Sequence, residues 1–367
     1  MLNFSFFLPT RIVHGQDVVI RNSALFSDIG TKALIVTGKQ SAKISGALAD
    51  VETALMQRKI RYQIFDQVEN NPSLDNIAQG AAVVRRFRPD FVVGIGGGSP
   101  LDAAKALAVL AVNRISPEQL YNLKSGKTPL PIIAIPTTAG TGSEVTPYSV
   151  LTIPEKQTKQ GFSHPGIFPK IAFLDYRYTE SLEEETTRDT AVDALSHLIE
   201  AYLSRRKNNA SDLLAEAGLR LWGRSIVDLR AGAFSSGLRE SLLAASTLGG
   251  MAIAHTGTTV VHALGYPLTY FHNIAHGRAN GLVMAGYLRY NYTHAKSRVE
   301  KILKFLNLKD INEFEQLLKA LLPSELKLSE EQINEYGVAA SRTKNATHSL
   351  GEVSSEICIE ILRNSLG

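Results

Sequence analysis

The sequence lacks most features of secreted and membrane proteins. Among its 367 residues Cys358 is the only cysteine, so neither an internal disulfide nor a thiolate site for structural zinc can form. This favours a reducing compartment, and we expect a cytoplasmic protein. The apolar opening MLNFSFFLPTR has no basic start and no small-residue cleavage site, so we interpret it as an edge strand. No apolar run is long enough to span a bilayer, and no membrane partner is expected.

Excess charge of one sign is also lacking. Lys and Arg number 39 and Asp and Glu number 35, which leaves a net charge of only +4, and the basic residues are scattered. No nucleic-acid partner is therefore expected. The 44% of hydrophobic and 20% of charged residues are typical of a globular protein, and the length suits two domains of about 100–200 residues each.

The first half of the chain alternates between short apolar runs and helical patterns. Near-continuous β-branched segments predict buried parallel strands at residues 33–37, 61–68, 91–98, 131–138 and 171–175. Between the second and third of these, a helical pattern begins after Asn71, the predicted N-cap, with Pro72 at its first position. The repeated strand–helix units predict a doubly wound, mostly parallel α/β domain over residues 1–178.

After residue 178 the strand-like runs stop. No internal repeat is visible there, so a solenoid is not predicted. The remainder, residues 179–367, is predicted to be an all-helical domain. Its helices are predicted at residues 187–204, 210–230, 239–256, 258–265, 276–295, 297–306, 311–321 and 329–342.

The segment FVVGIGGGSPLDAAK places a tight glycine turn between a strand and a helix. Glycines let an anion approach the backbone, and the free N–H groups of a helix start favour phosphate, so a pyrophosphate suits Gly97, Gly98 and Ser99. Asp102 can meet a ribose hydroxyl or a nicotinamide. The alternative is that Ser99, Pro100 and Asp102 only cap the helix.

A second turn, IPTTAGTGSEVTP, is rich in hydroxyl side chains. It follows a predicted strand at the carboxyl edge of the sheet, where ligands of open α/β folds bind. Thr137, Thr138 and Thr141 can donate hydrogen bonds to phosphate or to the nicotinamide carboxamide. Alternatively, these hydroxyls close the loop on itself.

The helical half concentrates several of the nine histidines. Asp193 and His197 are four residues apart and share one face of a predicted helix that is apolar almost all round. A surface ion pair is the usual explanation of this spacing, but a buried charge needs a partner. His262 and His276 supply two more imidazoles. One carboxylate and three neutral imidazoles suit Fe²⁺ or Zn²⁺ in a catalytic role.

Other residues of these motifs have secondary assignments. His272 is interpreted as the catalytic proton carrier at the open coordination position, with a supporting or loop role as the alternative. Asp189 and Glu200, on or near the face of Asp193, are interpreted as caps or ion-pair partners. Apolar residues near the motifs indicate a short aliphatic substrate: Phe162, Leu264 and Phe271.

Four motifs together resemble the iron-containing (group III) alcohol dehydrogenase family over essentially the whole chain. They are GGGSPLDAAK (96–105), IPTTAGTGSEVTP (135–147), DALSHLIE (193–200) and HALGYPL…AHG (262–277). The resemblance implies a nucleotide-binding α/β domain, a helical metal domain, a cleft between them and, as metal ligands, Asp193, His197, His262 and His276. It implies dinucleotide contacts for Gly97, Gly98, Ser99, Asp102, Thr137, Thr138, Thr141 and Lys159. A homodimer is expected.

Two positions depart from the family pattern. Many members read H-A-x-x-H-P-L, whereas Tyr266 replaces the second histidine, so a proton relay there would need His272 or solvent. NAD-using members often have aspartate at the position of Gly38, where a carboxylate binds the ribose 2′-hydroxyl and repels a 2′-phosphate. Because Gly38, Lys39 and Ser41 leave room, charge and a hydroxyl, NADP is preferred over NAD.

The expected activity is reversible hydride transfer between the nicotinamide and a small primary alcohol or diol, with the metal as Lewis acid. One alternative is a cofactor-assisted lyase resembling dehydroquinate synthase, but residues 248–285 offer only Arg278 for a phosphorylated acid. A metal-dependent hydrolase is another, although it would not need the dinucleotide turn. A dinucleotide-binding protein without catalysis would require a vestigial metal set.

Overall fold

The computed structural model describes residues 4–123 and 126–367, and the chain divides into two compact units. The sheet unit comprises Leu8–Thr138 and Ser143–Leu182. The helical unit comprises the residues up to Phe7, the short stretch Ala139–Gly142 and Glu183–Gly367. The predicted division after residue 178 stays a prediction, and the two short stretches that belong with the helical unit were not anticipated.

The sheet unit is built on a parallel sheet of six strands in the order β1-β8-β5-β4-β2-β3. The predicted mostly parallel α/β fold class is thereby confirmed for this unit. A separate antiparallel hairpin is formed by β6 and β7. In the described residues the strands are β1 (Arg11–His14), β2 (Lys32–Gly38), β3 (Arg61–Val68), β4 (Phe91–Gly96), β5 (Ile132–Pro136), β6 (Tyr148–Ile153), β7 (Thr158–Ser163) and β8 (Ile171–Leu174).

Helices cover both faces of the sheet because alternate side chains of each strand point in opposite directions. Leu34 and Val36 of β2 belong to one apolar core, whereas Ala33 and Ile35 belong to the other. Both cores are buried, which explains the near-continuous apolar strands. The helices of this unit are α1 (Val18–Arg21), α2 (Ala24–Ser27), α3 (Ser41–Ile44), α4 (Ala47–Gln57), α5 (Leu74–Phe87) and α6 (Gly98–Val112).

The strand order reverses direction between β2 and β4. From β2 the chain moves outward to β3, and it then returns to β4 on the other side of β2. The crevice at the carboxyl ends of two such strands is where open α/β folds bind their ligands. Gly38 ends β2 and Gly96 ends β4, so the glycine turn lies at this switch point.

Two local predictions for the sheet unit were wrong, and one element was missed. The edge strand is β1, which begins at Arg11 where it pairs with β8, and the described residues before it are irregular; residues 1–3 of the predicted strand lie outside the described residues. Helix α5 is capped by Ser73 instead of Asn71, because Asn71 takes a left-handed conformation with φ of 55°. The β6–β7 hairpin was not predicted, since its strands are polar and half-buried.

The helical unit contains no strand among its described residues, as predicted. Its second predicted helix is divided by Ser225, and the predicted break near residue 296 is present as a kink at Ala295 (φ −143°, ψ 44°). The predicted end of α11 was wrong, because this helix continues through Pro267. The last helix, α15, was not predicted. The helices are α7 (Glu184–Tyr202), α8 (Asn209–Arg224), α9 (Ile226–Ala231), α10 (Ser236–Thr256), α11 (Val260–His272), α12 (His276–Phe305), α13 (Ile311–Leu321), α14 (Glu330–Ser341) and α15 (Ser355–Leu366). Within the described ranges, no helix has the length and apolar character required to cross a bilayer.

Gly94 of β4 tests how closely α6 packs on the sheet. A Cβ at this position would lie 2.9 Å from Ala104 Cβ, so Gly94→Ala forces α6 outward and is expected to destabilise the fold by about 1–3 kcal/mol. The measurement is thermal unfolding followed by circular dichroism. The matched control is Gly237→Ala on α10, whose added Cβ meets nothing within 4 Å. A melting temperature of Gly94→Ala equal to that of the control would contradict this packing.

Candidate metal centre and dinucleotide turn

Helix α7 carries the first two predicted metal ligands in a buried position. Asp193 and His197 are one turn apart on this helix, and every residue from Ala191 to Tyr202 is buried. A helix buried on all sides cannot hold a carboxylate and an imidazole without partners. The partners must therefore be other side chains of the helical unit.

Two further helices bring the partners. His262 lies on α11, His276 is the first residue of α12, and the Nε2 atom of each lies 3.9 Å from Asp193 Oδ1. These three ligand atoms all lie within 4.8 Å of one another. His197 Nε2 lies 3.0 Å from His262 Nε2. The structure thus brings together all four residues that the sequence assigned to a metal.

The tautomers of His197 and His262 follow from the partners of their Nδ1 atoms. His197 Nδ1 lies 3.2 Å from the carbonyl oxygen of Gly140, and His262 Nδ1 lies 2.5 Å from Glu200 Oε2. Because a carbonyl and a carboxylate only accept hydrogen bonds, both Nδ1 atoms carry a hydrogen. In the neutral imidazoles, both Nε2 atoms then carry lone pairs, which face each other across 3.0 Å.

An electron-pair acceptor between the two nitrogens would bind both lone pairs. Burial lowers the pKa of His197 below its ordinary value, which disfavours a proton on that ring. A divalent cation accepts several lone pairs at once, and neutral imidazole with a carboxylate is the donor set that Fe²⁺ and Zn²⁺ prefer. The residues present therefore fit the metal that the sequence analysis expected.

The sequence analysis interpreted Glu200 as a cap or an ion-pair partner; the structure pairs it with His262, and its position behind a predicted metal ligand was not anticipated. It is fully buried and accepts hydrogen bonds from His262 Nδ1 and from the backbone N–H and hydroxyl of Thr259, the last two at 2.7 Å. Burial opposes its ionised form, but these donors outweigh burial and lower the pKa of Glu200. A carboxylate behind a ligand histidine is the usual device that orients the ring. Glu200 follows Asp193 by seven residues, which is two turns of a buried helix, and this spacing could have indicated that it lies near the same site.

Asn280 is a second residue that was missed. It is fully buried on α12, one turn after His276, and its Nδ2 donates to Asp193 Oδ1 at 3.0 Å. The same nitrogen lies 3.3 Å from His262 Nε2 and 3.5 Å from His276 Nε2. The spacing His276–Asn280 repeats the spacing Asp193–His197, which could have indicated it.

The remaining predicted residues of the helical unit surround this cluster or lie on its helices. Tyr266 stacks on the ring of His276 with centroids 5.7 Å apart. His272, the last residue of α11, lies 3.1 Å from the Tyr336 hydroxyl through its Nε2, and its assignment as the catalytic proton carrier stays a prediction. Asp189 accepts a hydrogen bond from Arg278 at 3.0 Å, in agreement with its interpretation as an ion-pair partner.

In the sheet unit, the glycine turn leaves the start of α6 without a side-chain cap among the described residues. Gly97 occupies the N-cap position and has no side chain to offer, which leaves N–H groups for an anion. Ser99 is not the cap; its hydroxyl accepts from the Asn71 backbone N–H at 3.0 Å. Asn71 in turn accepts from Lys159 Nζ at 2.9 Å, which places Lys159 close to the turn. The capping interpretation of Ser99 was therefore wrong.

Asp102 does not cap α6 either, because both of its oxygens accept hydrogen bonds from outside the helix. Oδ1 accepts from the Ser143 hydroxyl at 2.7 Å and Oδ2 from the Val150 backbone N–H at 2.9 Å. Lys105, fully buried 3.8 Å away, donates to the same serine at 2.6 Å. Burial raises the pKa of Asp102 and lowers the pKa of Lys105 to about 8, while their mutual attraction opposes both shifts. These contacts join α6 to the β6–β7 hairpin.

The three threonines of the second turn do not share one environment. Thr137 is buried, and its hydroxyl has no hydrogen-bond partner among the described residues, which leaves it available to a ligand. Thr138 is half-buried at the end of the same stretch of the sheet unit. Thr141 belongs to the helical unit, and its predicted contact with the dinucleotide stays a prediction.

Comparison with known proteins identifies the family of the chain. Residues 9–176 match the family model of iron-containing alcohol dehydrogenases, and residues 187–355 match the C-terminal model of the same family. A long-chain-alcohol dehydrogenase of Geobacillus thermodenitrificans is 37% identical over 267 residues, which are 71% of this chain and 67% of that protein. An NADPH-dependent butanol dehydrogenase of Clostridium saccharobutylicum is 28% identical over 95% of this chain and 90% of its own. A crystal structure of an iron-containing alcohol dehydrogenase from Thermotoga maritima is 40% identical, with a TM-score of 0.94 over the whole of both chains.

These matches define the class first: the chain is a metal-dependent, NAD(P)-linked dehydrogenase. It belongs to the iron-containing alcohol dehydrogenase family. The family, the fold class and the alcohol dehydrogenase activity predicted from the sequence are thereby confirmed.

Glu200→Gln tests the orienting role of the buried carboxylate. A glutamine offers one acceptor oxygen where Glu200 uses two, so its amide must face either His262 or Thr259, and the tautomer of His262 is no longer held. The affinity for Co²⁺ or Zn²⁺, measured by competition with a chromophoric chelator, is expected to fall about 10- to 100-fold. Glu216→Gln is the control, because Glu216 accepts a hydrogen bond from the Tyr202 hydroxyl and from no other group among the described residues. Equal affinities of the two variants would exclude the role.

Proposed function

We propose that the chain is an NADP-preferring, iron-dependent dehydrogenase of small primary alcohols or diols, with the cation held by Asp193, His197, His262 and His276. One observation carries the proposal: the Nε2 atoms of His197 and His262 face each other at 3.0 Å with both Nδ1 atoms committed as donors. A carboxylate oxygen lies 3.9 Å from two of the imidazoles.

Iron is preferred over zinc for this site. The cluster has one carboxylate, three imidazoles and the polar side chain of Asn280, which is more donors than the closed tetrahedral sites of zinc use. The absence of thiolate among these donors also favours the harder ion. The family description points to the same metal.

The preference for NADP rests on the end of β2. Gly38 carries no carboxylate that would repel a 2′-phosphate, and Lys39 after it is exposed. Ser41 begins α3, so its hydroxyl and the first N–H groups lie beside the same strand end. The pyrophosphate is assigned to Gly97, Gly98 and Ser99, with further contacts from Asp102, Thr137, Thr138, Thr141 and Lys159.

The roles of the chain's own residues follow from their positions. When bound, the metal ion supplies Lewis acidity that favours the alkoxide form of an alcohol or polarises an aldehyde carbonyl. The Nδ1 hydrogens of His197 and His262 are held by Gly140 and Glu200, which leaves the Nε2 atoms to bind the metal. His272 is proposed to carry the proton released from the alcohol, since Tyr266 replaces the histidine usual in the family. The residues of the glycine turn would hold the dinucleotide, whose nicotinamide would supply the hydride acceptor or donor.

A small alcohol or diol is proposed as the substrate from the activities that relatives' names record, which include a butanol dehydrogenase and a 1,3-propanediol dehydrogenase. The three apolar residues that the sequence analysis associated with the substrate give less support to this proposal. Phe162 and Leu264 are buried among core side chains, and Phe271 stacks on Tyr336.

We also propose a homodimer in the cytoplasm. Cys358 is buried as a free thiol, which suits a reducing compartment. Exposed apolar side chains gather beside α8, where Phe4, Phe6 and Leu213 line one shallow apolar surface of the helical unit. A surface of this kind is typical of an interface.

Metal removal tests the proposed function. Full-length protein stripped by a chelator is expected to lose oxidation of butanol and 1,3-propanediol, read by absorbance of the reduced cofactor. Added Fe²⁺ should restore more activity than Zn²⁺. His262→Ala is expected to abolish turnover and to leave NADP binding intact, because His262 belongs to the helical unit. His255→Ala is the control, since that ring stacks on Phe6. Wild-type turnover in metal-stripped protein would overturn the mechanism.

Gly38→Asp tests the cofactor preference. A Cβ at Gly38 meets only atoms 3.6 Å or more away, so the side chain is accommodated. The carboxylate is expected to bind the ribose hydroxyl of NAD and to repel the 2′-phosphate of NADP, shifting the ratio of kcat/KM values toward NAD by about 10- to 100-fold. Gly38→Ala adds bulk without charge and should leave the ratio unchanged. A ratio that does not change in Gly38→Asp would reject the assignment.

A further inference from the structure

The carboxamide of Asn280 occupies the point at which the metal ligands converge. Its Nδ2 lies 3.0 Å from Asp193 Oδ1, 3.3 Å from His262 Nε2 and 3.5 Å from His276 Nε2. Asp193 Oδ1 carries lone pairs, and so does His262 Nε2, since the hydrogen of that ring is on Nδ1 beside Glu200. The amide nitrogen therefore lies at the point where a cation would accept these lone pairs.

The other end of the same carboxamide is unsatisfied. Asn280 is fully buried, and its Oδ1 accepts no hydrogen bond from any residue in the described ranges. Burial of an unpaired carbonyl oxygen costs about 1–3 kcal/mol. The oxygen faces α11 at Gly265, where a Cβ would approach it to 2.3 Å, so a glycine provides the space for it. An oxygen left unpaired inside a metal centre calls for a functional explanation.

A cation reverses the electrostatic preference of the amide. The carboxylate of Asp193 and the Nε2 lone pair of His262 attract the N–H groups of Asn280. A divalent cation among the same atoms is the largest local charge, and it repels N–H dipoles and attracts a carbonyl oxygen. A half-turn of the carboxamide exchanges the two ends within nearly the same volume, because oxygen and NH₂ are similar in size.

We propose that Asn280 is a fifth ligand of the metal ion, whose side chain turns on metal binding so that Oδ1 faces the cation. This proposal rests on the proposed metal site and adds a donor to it. It also accounts for the His276–Asn280 spacing on α12, which presents two donors one helical turn apart as α7 does with Asp193 and His197.

The test uses Co²⁺ as a visible probe in the full-length, metal-stripped protein. Asn280→Leu removes the oxygen and keeps the approximate volume. We expect its Co²⁺ affinity to fall at least 10-fold and its visible absorption to change to the stronger bands of a lower coordination number. The matched control is Asn291→Leu: Asn291 lies on the same helix, is fully buried and also has an Oδ1 without a partner among the described residues. The control should bind Co²⁺ as the wild type does.

Asn280→Asp covers the case in which the leucine variant does not fold. It keeps an oxygen at this position, so it should bind Co²⁺ at least as tightly as the wild type and with the same spectrum. Weaker binding by Asn280→Asp, or unchanged affinity and spectrum in folded Asn280→Leu, would overturn the proposal. Tighter binding by Asn280→Leu would also overturn it, since the amide would then only compete with the ion. Failure of the wild type to bind Co²⁺ would instead refute the proposed metal site.

Discussion

The helical unit depends on one electrostatic constraint: the Nε2 lone pairs of two buried imidazoles, those of His197 and His262, face each other. His197 and His262 could each avoid it by exchanging tautomers, but Gly140 and Glu200 accept the Nδ1 hydrogens and hold both Nε2 atoms without one. A cation between the two nitrogens would remove the repulsion, and metal binding would then stabilise the conformation of this unit.

The sheet unit has a turn at the start of α6 that no side chain of the described residues caps. A side-chain cap at the start of α6 would occupy the N–H groups that an anion needs, and the glycine at the N-cap avoids this. The turn is instead supported from inside the fold. Lys105, Asp102 and Ser143 form a buried polar group that joins α6 to the β6–β7 hairpin. Lys105 is buried and donates hydrogen bonds to hydroxyl and carbonyl oxygens. It therefore stabilises the packing beneath the turn and does not enter the turn itself.

Much of this fold and site could be predicted because the relevant signals are local. The parallel strands correspond to uninterrupted β-branched runs in the sequence. The pair Asp193–His197 is recognisable because it lies on a helix that is otherwise apolar on every side. The β6–β7 hairpin escaped prediction because its strands are polar and half-buried, so they lack an apolar period. Glu200 and Asn280 escaped because a polar residue on a helix reveals its burial but not its partner. The positions of Ser99 and Asp102 after the glycines are typical of helix caps, but their side chains accept hydrogen bonds from residues distant in sequence, Asn71 and Ser143.

The sequence by itself determined the family, the order of sheet and helices, and the four residues that the helical unit brings together, because each of these is carried by residue type and short-range spacing. Only the tertiary structure decided the partners of the imidazole Nδ1 atoms, the position of Glu200 behind His262, and the position of Asn280 beside Asp193, His262 and His276. These depend on which atoms of distant segments lie within about 3 Å of one another, and hydrogen bonds distinguish such distances whereas residue patterns do not.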